Sequence, residues 1–421
     1  MTRVEAPPSA ERQEAPAADR PSSTALWVLT GQLGLQVALF LGFGVLPLPS
    51  PNIVAASTLA LAGATVLLAP HGQIGRIRLH LAPLALLWWW MLSLLWTGDP
   101  GQWWVDSMSN VPIVVTTLLV VGMLPRERIV LALLAFVHVA IAFQVLWVAT
   151  HPGEATSNRD LLTGAVTAGW RGSFIHKNAL GPFLVVALLT VLLLERRHTL
   201  RWFTAAMTLG LLAMTQSVTA WWVTIVIGAL VGWLGWYSTT PRRVRAAVIV
   251  PSIVLGGLAL VGVARIYPVI VDAYGKDLTF SGRTVIWAAA LRAIEQRPIS
   301  GYGIGGVWFR PHDEPARSII ADAGFTVFHT HNGYIELMLL LGAVGLALWL
   351  SIVSTTLVAA WRALDTDRQM AVWGITVSVT VLLVSFAEVL VFGSWLALLV
   401  VARLLVGERP TATRASWAGG R

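Results

Sequence analysis

The sequence predicts an all-α, polytopic integral membrane protein with about twelve transmembrane helices. Three observations lead there. Of 421 residues, 56% are hydrophobic and 12% charged, about half the ~25% charge of a soluble domain. Mean hydropathy is +0.72, and apolar stretches of about 20 residues, the length that crosses a bilayer, recur along the chain. Basic residues fall in alternate connecting segments. The composition excludes a soluble enzyme, a disordered protein and a nucleic-acid partner, despite a net charge of +8 and a pI near 10.7. Cysteine is absent, which excludes disulfides, thiol catalysis and Cys-ligated metals. The bias to Arg over Lys, with abundant Ala, Gly, Pro and Trp, suggests a GC-rich bacterial genome. The 21 Trp suit interfacial belts, with some free to stack on sugars.

Taken in order, residues 1–24 are polar and rich in Ala, Pro and Glu, and read as a disordered cytoplasmic tail without a signal peptide. The transmembrane domain, 25–405, divides into spans at 25–46, 53–70, 79–96, 109–124, 128–149, 179–195, 201–215, 219–237, 246–263, 334–358, 370–387 and 389–405. A second cytoplasmic tail covers 406–421. With the N-terminus inside, the inner loops carry Arg76 and Arg78; Arg126 and Arg128; Arg196, Arg197 and Arg201; Arg242, Arg243 and Arg245; Arg362 and Arg368. The short outer loops Pro47–Asn52, Thr97–Met108 and Thr215–Val218, and the turn near Glu388, hold neither Lys nor Arg. One missed span would scramble this alternation, so both termini are expected on the cytoplasmic side of a bacterial inner membrane.

Two outer segments, 150–178 and 264–333, break the charge rule with Arg159, Arg171 and Lys177 and with seven basic and six acidic residues. Long loops escape the topology rule. Cations kept outside point to an anionic ligand. In the second segment Thr284–Arg297 reads as a short surface helix that Pro298 ends, followed by the turn Gly301-Tyr-Gly-Ile-Gly-Gly306. No internal repeat and no inverted pair of broken helices is found.

Three polar blocks stand at outer mouths. Gly169-Trp-Arg-Gly-Ser-Phe-Ile-His-Lys-Asn178 crowds Arg171, His176 and Lys177 against the start of the sixth span, with Asn178 as N-cap. Helix starts favour anions, though snorkelling anchors would look the same. Lys276-Asp-Leu-Thr-Phe-Ser-Gly-Arg-Thr-Val-Ile-Trp287 sets Arg283 at a helix start, with Trp287 a turn later and Asp277 able to orient a cation; a capped, salt-bridged helix start is the plain alternative. In Phe328-His-Thr-His-Asn-Gly-Tyr-Ile-Glu336, His331 and Asn332 sit at the membrane edge and Glu336 a turn inside. His331 suits proton transfer from a sugar hydroxyl, with His329 the rival base. The i, i+2 His pair is a weak metal signal, since no clear third or fourth ligand accompanies it. The turn Thr215-Gln-Ser-Val-Thr-Ala220 reads as helix caps or ligand contacts, and Glu388 as a span acid or a solvated turn residue.

The three blocks, in order across residues 169–350, resemble the bacterial O-antigen ligase and polymerase superfamily, with the His-Lys-Asn form leaning toward exopolysaccharide polymerases. Val218 departs from a turn that often carries Lys in related sequences. The resemblance implies a GT-C-like glycosyltransferase with a large outer loop between the ninth and tenth helices. It implies transfer of glycan from an undecaprenyl-diphosphate donor to a sugar or lipid-linked acceptor hydroxyl, outside the membrane and with inversion, without metal or other cofactor. A polysaccharide chain-length regulator is the implied protein partner. By position, Arg171 and Arg283 correspond to diphosphate ligands and His331 to the group at the acceptor. His176, Lys177, Asn178, Asp277, Trp287, Tyr302, Asn332 and Glu336 are expected around the substrate, with Trp308 a further ring for sugar or lipid. A transporter or flippase of lipid-linked or anionic substrates would also use outer Arg residues, but would place ionisable groups near mid-membrane.

Overall fold

The computed structural model describes residues 81–159, 166–273 and 282–407, together with Ala56, Leu59, Ala60 and Gly63, which are helical. The first expected span, most of the second, the 1–24 tail, nearly all of the C-terminal tail, and Lys276 and Asp277 lie outside the described residues. Within them the regular secondary structure is helical apart from one antiparallel pair, β1 (Asn158–Arg159) with β2 (Val166–Thr167), in register Asn158↔Thr167.

The helices are α1 (Leu81–Leu92, extended by a 3-10 turn to Leu95), α2 (Pro100–Met123), α3 (Arg126–Thr150), α4 (Lys177–Leu194), α5 (His198–Thr215), α6 (Val218–Thr239), α7 (Arg242–Ala273), α8 (Arg283–Gln296), α9 (Ala316–Ala323), α10 (Gly333–Ala363), α11 (Arg368–Ser385) and α12 (Gly393–Gly407). Ten of these meet the ten described spans expected from the sequence; α8 and α9 belong to the outer segment. Among the described residues α3, α4, α6, α10 and α11 are long and apolar enough to cross a membrane. A polytopic helical bundle satisfies its backbone internally, which is what lipid demands. α11 and α4 are the most enclosed, and α10, α11 and α12 pack on one another at the centre.

Three boundaries differ from expectation. Thr97–Met108, read as an outer loop, is mostly the start of α2, because Asp99 caps the helix by accepting from the Gln102 N–H at 2.9 Å and Pro100 opens it. α7 runs ten residues past 263, since one Arg does not end a helix whose apolar pattern resumes at Ile266, Val269 and Ile270. α4 is capped by His176, whose Nδ1 accepts from the Asn178 N–H at 3.1 Å, and not by Asn178.

The loop sorting by charge has a structural counterpart. Segments expected inside meet each other: Arg126 pairs with Asp367, Arg242 and Arg245 with Asp365, and Arg368 donates to the Gly235 carbonyl. Segments expected outside meet each other as well, through Asn178 with Ser217, Arg283 with Glu388, and Thr97 with the Ile304 carbonyl. His138, inside α3, is closed by Glu195 at 2.9 Å and Thr204 at 2.8 Å.

α10 is broken near its start. Gly342 leaves the helical region at φ 66° and ψ −169°, and the segment 298–306 inserts beside it. Tyr302 and Gly303 N–H donate to the Leu339 and Leu340 carbonyls, and Ala343 N–H donates to the Pro298 carbonyl. Trp89 Nε1 donates to the Leu341 carbonyl. The outer piece, Gly333–Leu341, is thereby a separate half-helix whose freed carbonyls are satisfied by the inserted loop.

Candidate functional site

Four helix starts meet at one point. Lys177 and Asn178 open α4, Ser217 caps α6, Arg283 opens α8, and His331 and Asn332 precede α10. Sharp turns bring the chain in. Among the described residues only Gln216 (φ 50°) and His331 (φ 52°) are non-glycines in the left-handed region, and they flank the Ser217 and Asn332 caps. Strain of this sort persists where surrounding contacts over-determine it. For His331 those contacts include its own N–H to His329 Nδ1 at 3.2 Å and the His329 ring 3.9 Å away.

At the meeting point sits Glu388, in the turn between α11 and α12. Its Oε1 accepts from Arg283 Nη2 at 2.7 Å and from Asn178 Nδ2 at 2.9 Å. Its Oε2 faces His331 Nδ1 at 3.6 Å, and Arg283 Nη2 lies 3.5 Å from that same nitrogen. Asn178 Oδ1 in turn accepts from Ser217 Oγ at 3.3 Å. Arg283 and Glu388 are 14% and 12% exposed and His331 is 35%, so His331 is the member most open to an incoming group. Glu388, left between span acid and solvated turn residue in the sequence, is therefore a buried hub that the expected site omitted. A lone acid in the short turn between two apolar spans is the signal that could have found it.

The remaining expected residues divide in two. His176 and Lys177 border the cluster; Lys177 Nζ donates to the Ala168 carbonyl at 2.7 Å, and His176 lies within electrostatic reach of Glu388 and His331. The others brace it. Trp287 Nε1 donates to the Thr330 carbonyl at 2.9 Å and its ring meets Phe386 edge-on, which ties α8 to the His331 turn and to the Glu388 turn. Asn332 Oδ1 accepts from Tyr334 and Ile335 N–H, as an N-cap. Glu336 is buried, with Trp308 Nε1 donating to it at 2.6 Å and Thr330 N–H at 2.8 Å. The Tyr302 hydroxyl lies 3.1 Å from the Ala293 carbonyl, under Arg297. Arg171 donates through Nε and Nη1 to the carbonyls of Glu154, Ser157 and Phe174, folding the 150–178 segment onto itself. Asp277 lies outside the described residues. Among them no group of three His, Asp or Glu converges as a metal site needs.

Burial, then the neighbouring His331, push the His329 imidazole down from 6.5 to about 4. Burial alone would push Glu388 up, but His331 and the Arg283 charge outweigh it and hold the carboxyl below its ordinary range. Both shifts make acid costly. Between pH 6.5 and about 4 the unfolded chain binds the His329 proton and the folded one does not, so stability falls as pH falls through that window; Glu388 adds its loss only below about 4.5. The melting temperature in detergent is expected to be lower at pH 5 than at pH 7, and His329→Gln to reduce that difference, with His176, also held down by burial, keeping a share. An unchanged difference in the variant would assign the acid sensitivity elsewhere.

Residues 202–350 match the family model described as O-antigen ligase. Over 357 aligned residues, 78% of this chain and 78% of the relative, the sequence is 26% identical to the exopolysaccharide production protein ExoQ of Rhizobium meliloti (strain 1021). Both comparisons point to the family that the blocks resemble. The Arg283 and His331 blocks lie inside the matched stretch, and the 169–178 block lies before it.

Proposed function

We propose that this chain, a multi-pass membrane protein whose residues 202–350 match the O-antigen ligase family model, works in surface-polysaccharide biosynthesis by moving glycan from a polyprenyl-diphosphate donor to an acceptor sugar hydroxyl at the outer face of the cytoplasmic membrane. The observation that carries the reading is the meeting of four helix starts around Arg283, Lys177 and His331, with Glu388 the carboxylate among them. Helix starts concentrate partial positive charge, and Arg adds a permanent, two-pronged one. That is the electrostatics a departing diphosphate requires.

In this mechanism the acceptor oxygen attacks the anomeric carbon from the face opposite the diphosphate. The bond from that carbon to the phosphate oxygen breaks, and its electron pair leaves on the diphosphate. Arg283 and Lys177 stabilise the growing charge without a metal, and Arg171 shapes the outer segment that leads into α4. His331 takes the acceptor proton as the new bond forms. Donor hydrolytic energy drives the step, so no nucleotide site is required. The His-Lys-Asn form of the first block favours polymerisation over ligation to a preformed lipid.

The test is direct. Purified full-length protein is incubated with a polyprenyl-diphosphate-linked repeat unit, and products are sized. A ladder of longer lipid-linked glycans is expected. Movement of intact donor across proteoliposomes with no new glycosidic bond would replace this reading with the transporter one.

A further inference from the structure

We propose that Glu388 is a positioning residue for this transfer, holding Arg283 through one carboxylate oxygen and setting the His331 ring through the other, so that Nε2 is the nitrogen presented to the acceptor hydroxyl. The inference rests on the transfer reaction proposed above and adds a residue to it from outside the three blocks.

The geometry is divided between the two oxygens. Oε1 takes Arg283 Nη2 and Asn178 Nδ2 at 2.7 and 2.9 Å. Oε2 is left toward His331 Nδ1 at 3.6 Å, a distance that one small shift of the ring closes into a hydrogen bond. With Arg283 Nη2 at 3.5 Å, Nδ1 accepts from the guanidinium; once a diphosphate draws Arg283 off and the ring closes on Oε2, the carboxylate favours the tautomer with its proton on Nδ1, which leaves the Nε2 lone pair free. The charged and titratable groups around His331 are Arg283 from α8, His329 from its own turn, His176 and Lys177 from the start of α4, and Glu388 from the α11–α12 turn. Glu388 alone among these is an anion. When Nε2 receives the acceptor proton the ring becomes imidazolium, and Glu388 is the group that offsets the new charge. The proton on Nδ1 stays in place throughout, and the carboxylate remains ionised.

A second role follows from the same contacts. Glu388 Oε1 holds Arg283 Nη2 at the start of α8, beside the place a diphosphate would take. A donor that draws Arg283 away frees Oε1 to bind Asn178 alone and leaves Oε2 facing His331. Base and cation are thus coupled through one side chain.

The experiment compares the full-length wild type with E388Q and E388D, purified in detergent. A polyprenyl-diphosphate-linked oligosaccharide is the donor, and kcat, donor KM and the pH profile of kcat are measured. E388Q keeps the size and the polar contacts but loses the charge. Its kcat is expected to fall about 100-fold or more, its donor KM not to rise, and its acid limb to move to lower pH, because neutralising Glu388 makes His331 easier to deprotonate. E388D is expected to recover part of kcat with the wild-type limb. An E388Q limb that stays in place, or a wild-type kcat in E388Q, overturns the proposal. Should E388Q not survive purification, E388D decides alone: partial kcat with an unmoved limb supports the proposal, and a displaced limb overturns it. A wild type that makes no product from the donor is a different result, and counts against the transfer reaction itself.

Discussion

Replacing Arg283 with alanine is expected to lower transfer by about 100- to 1000-fold, the cost typical of removing one preorganised group from a developing oxyanion. The variant also orphans Glu388. Breaking a buried ion pair by deleting one partner costs about 3–5 kcal/mol, because the remaining charge keeps its desolvation penalty. Here the Asn178 hydrogen bond and the adjacent His331 soften that cost. Stability and chemistry can be separated by a cycle. In the double variant R283A/E388Q no charge is left unpaired, so the melting temperature should return toward wild type while activity stays lost. Arg283→Lys keeps the charge but not the fork, and should retain the fold with an intermediate rate. If R283A/E388Q regained activity along with stability, Arg283 would be a structural partner of Glu388 and not a ligand of the leaving group.

The sequence made legible which loops gather together, because charge is counted loop by loop, and each loop carries its own record of Arg or none. The contacts of Arg126 with Asp367 and of Arg242 and Arg245 with Asp365 join segments that the count assigns to one side. Helix existence was legible for the same local reason. Boundaries were less so where one residue outweighed its neighbours: Asp99 with Pro100 carries a cap signal strong enough to start α2 inside a stretch read as loop. Burial was not legible. Whether Glu388 faces water depends on where α11 and α12 leave their shared turn, and on Arg283 and Asn178, which lie 105 and 210 residues away. The same limit applies to Glu336 and Tyr302. Glu336 was marked by its place a turn inside the third block and Tyr302 as a ring for sugar, whereas the folded chain joins Glu336 to Trp308 and Thr330 and the Tyr302 hydroxyl to Ala293. The places of Arg283, His331 and Lys177 at helix starts were legible because a helix start is readable from a short window.

Gly342→Ala is expected to be the most damaging single methyl in the described chain. The run Leu339-Leu-Leu-Gly-Ala343 reads as an uninterrupted apolar span, yet the backbone at Gly342 takes φ 66° with ψ −169°, a region open essentially to glycine. A Cβ there would stand 2.0 Å from the Ile299 carbonyl oxygen, 2.3 Å from its carbon and 2.6 Å from Ser300 N. All three are backbone atoms, so no rotamer change relieves the overlap. Backbone strain of this kind alone costs about 1–3 kcal/mol, and expelling the 298–306 segment would add the bonds from Tyr302 and Gly303 to the Leu339 and Leu340 carbonyls. The consequence reaches the site by a short route. The half-helix Gly333–Leu341 carries the Asn332 cap, and its Glu336 accepts from the Thr330 N–H, so the inserted loop fixes the turn on which His331 stands. The G342A protein should therefore melt well below wild type and lose transfer even at temperatures where it remains folded. Ala343→Gly, one residue on and already helical, serves as the control and should show only the small cost of glycine in a helix, about 1 kcal/mol. A G342A protein with wild-type melting and activity would mean that α10 can run straight through this position, and that the inserted loop does not support the His331 turn.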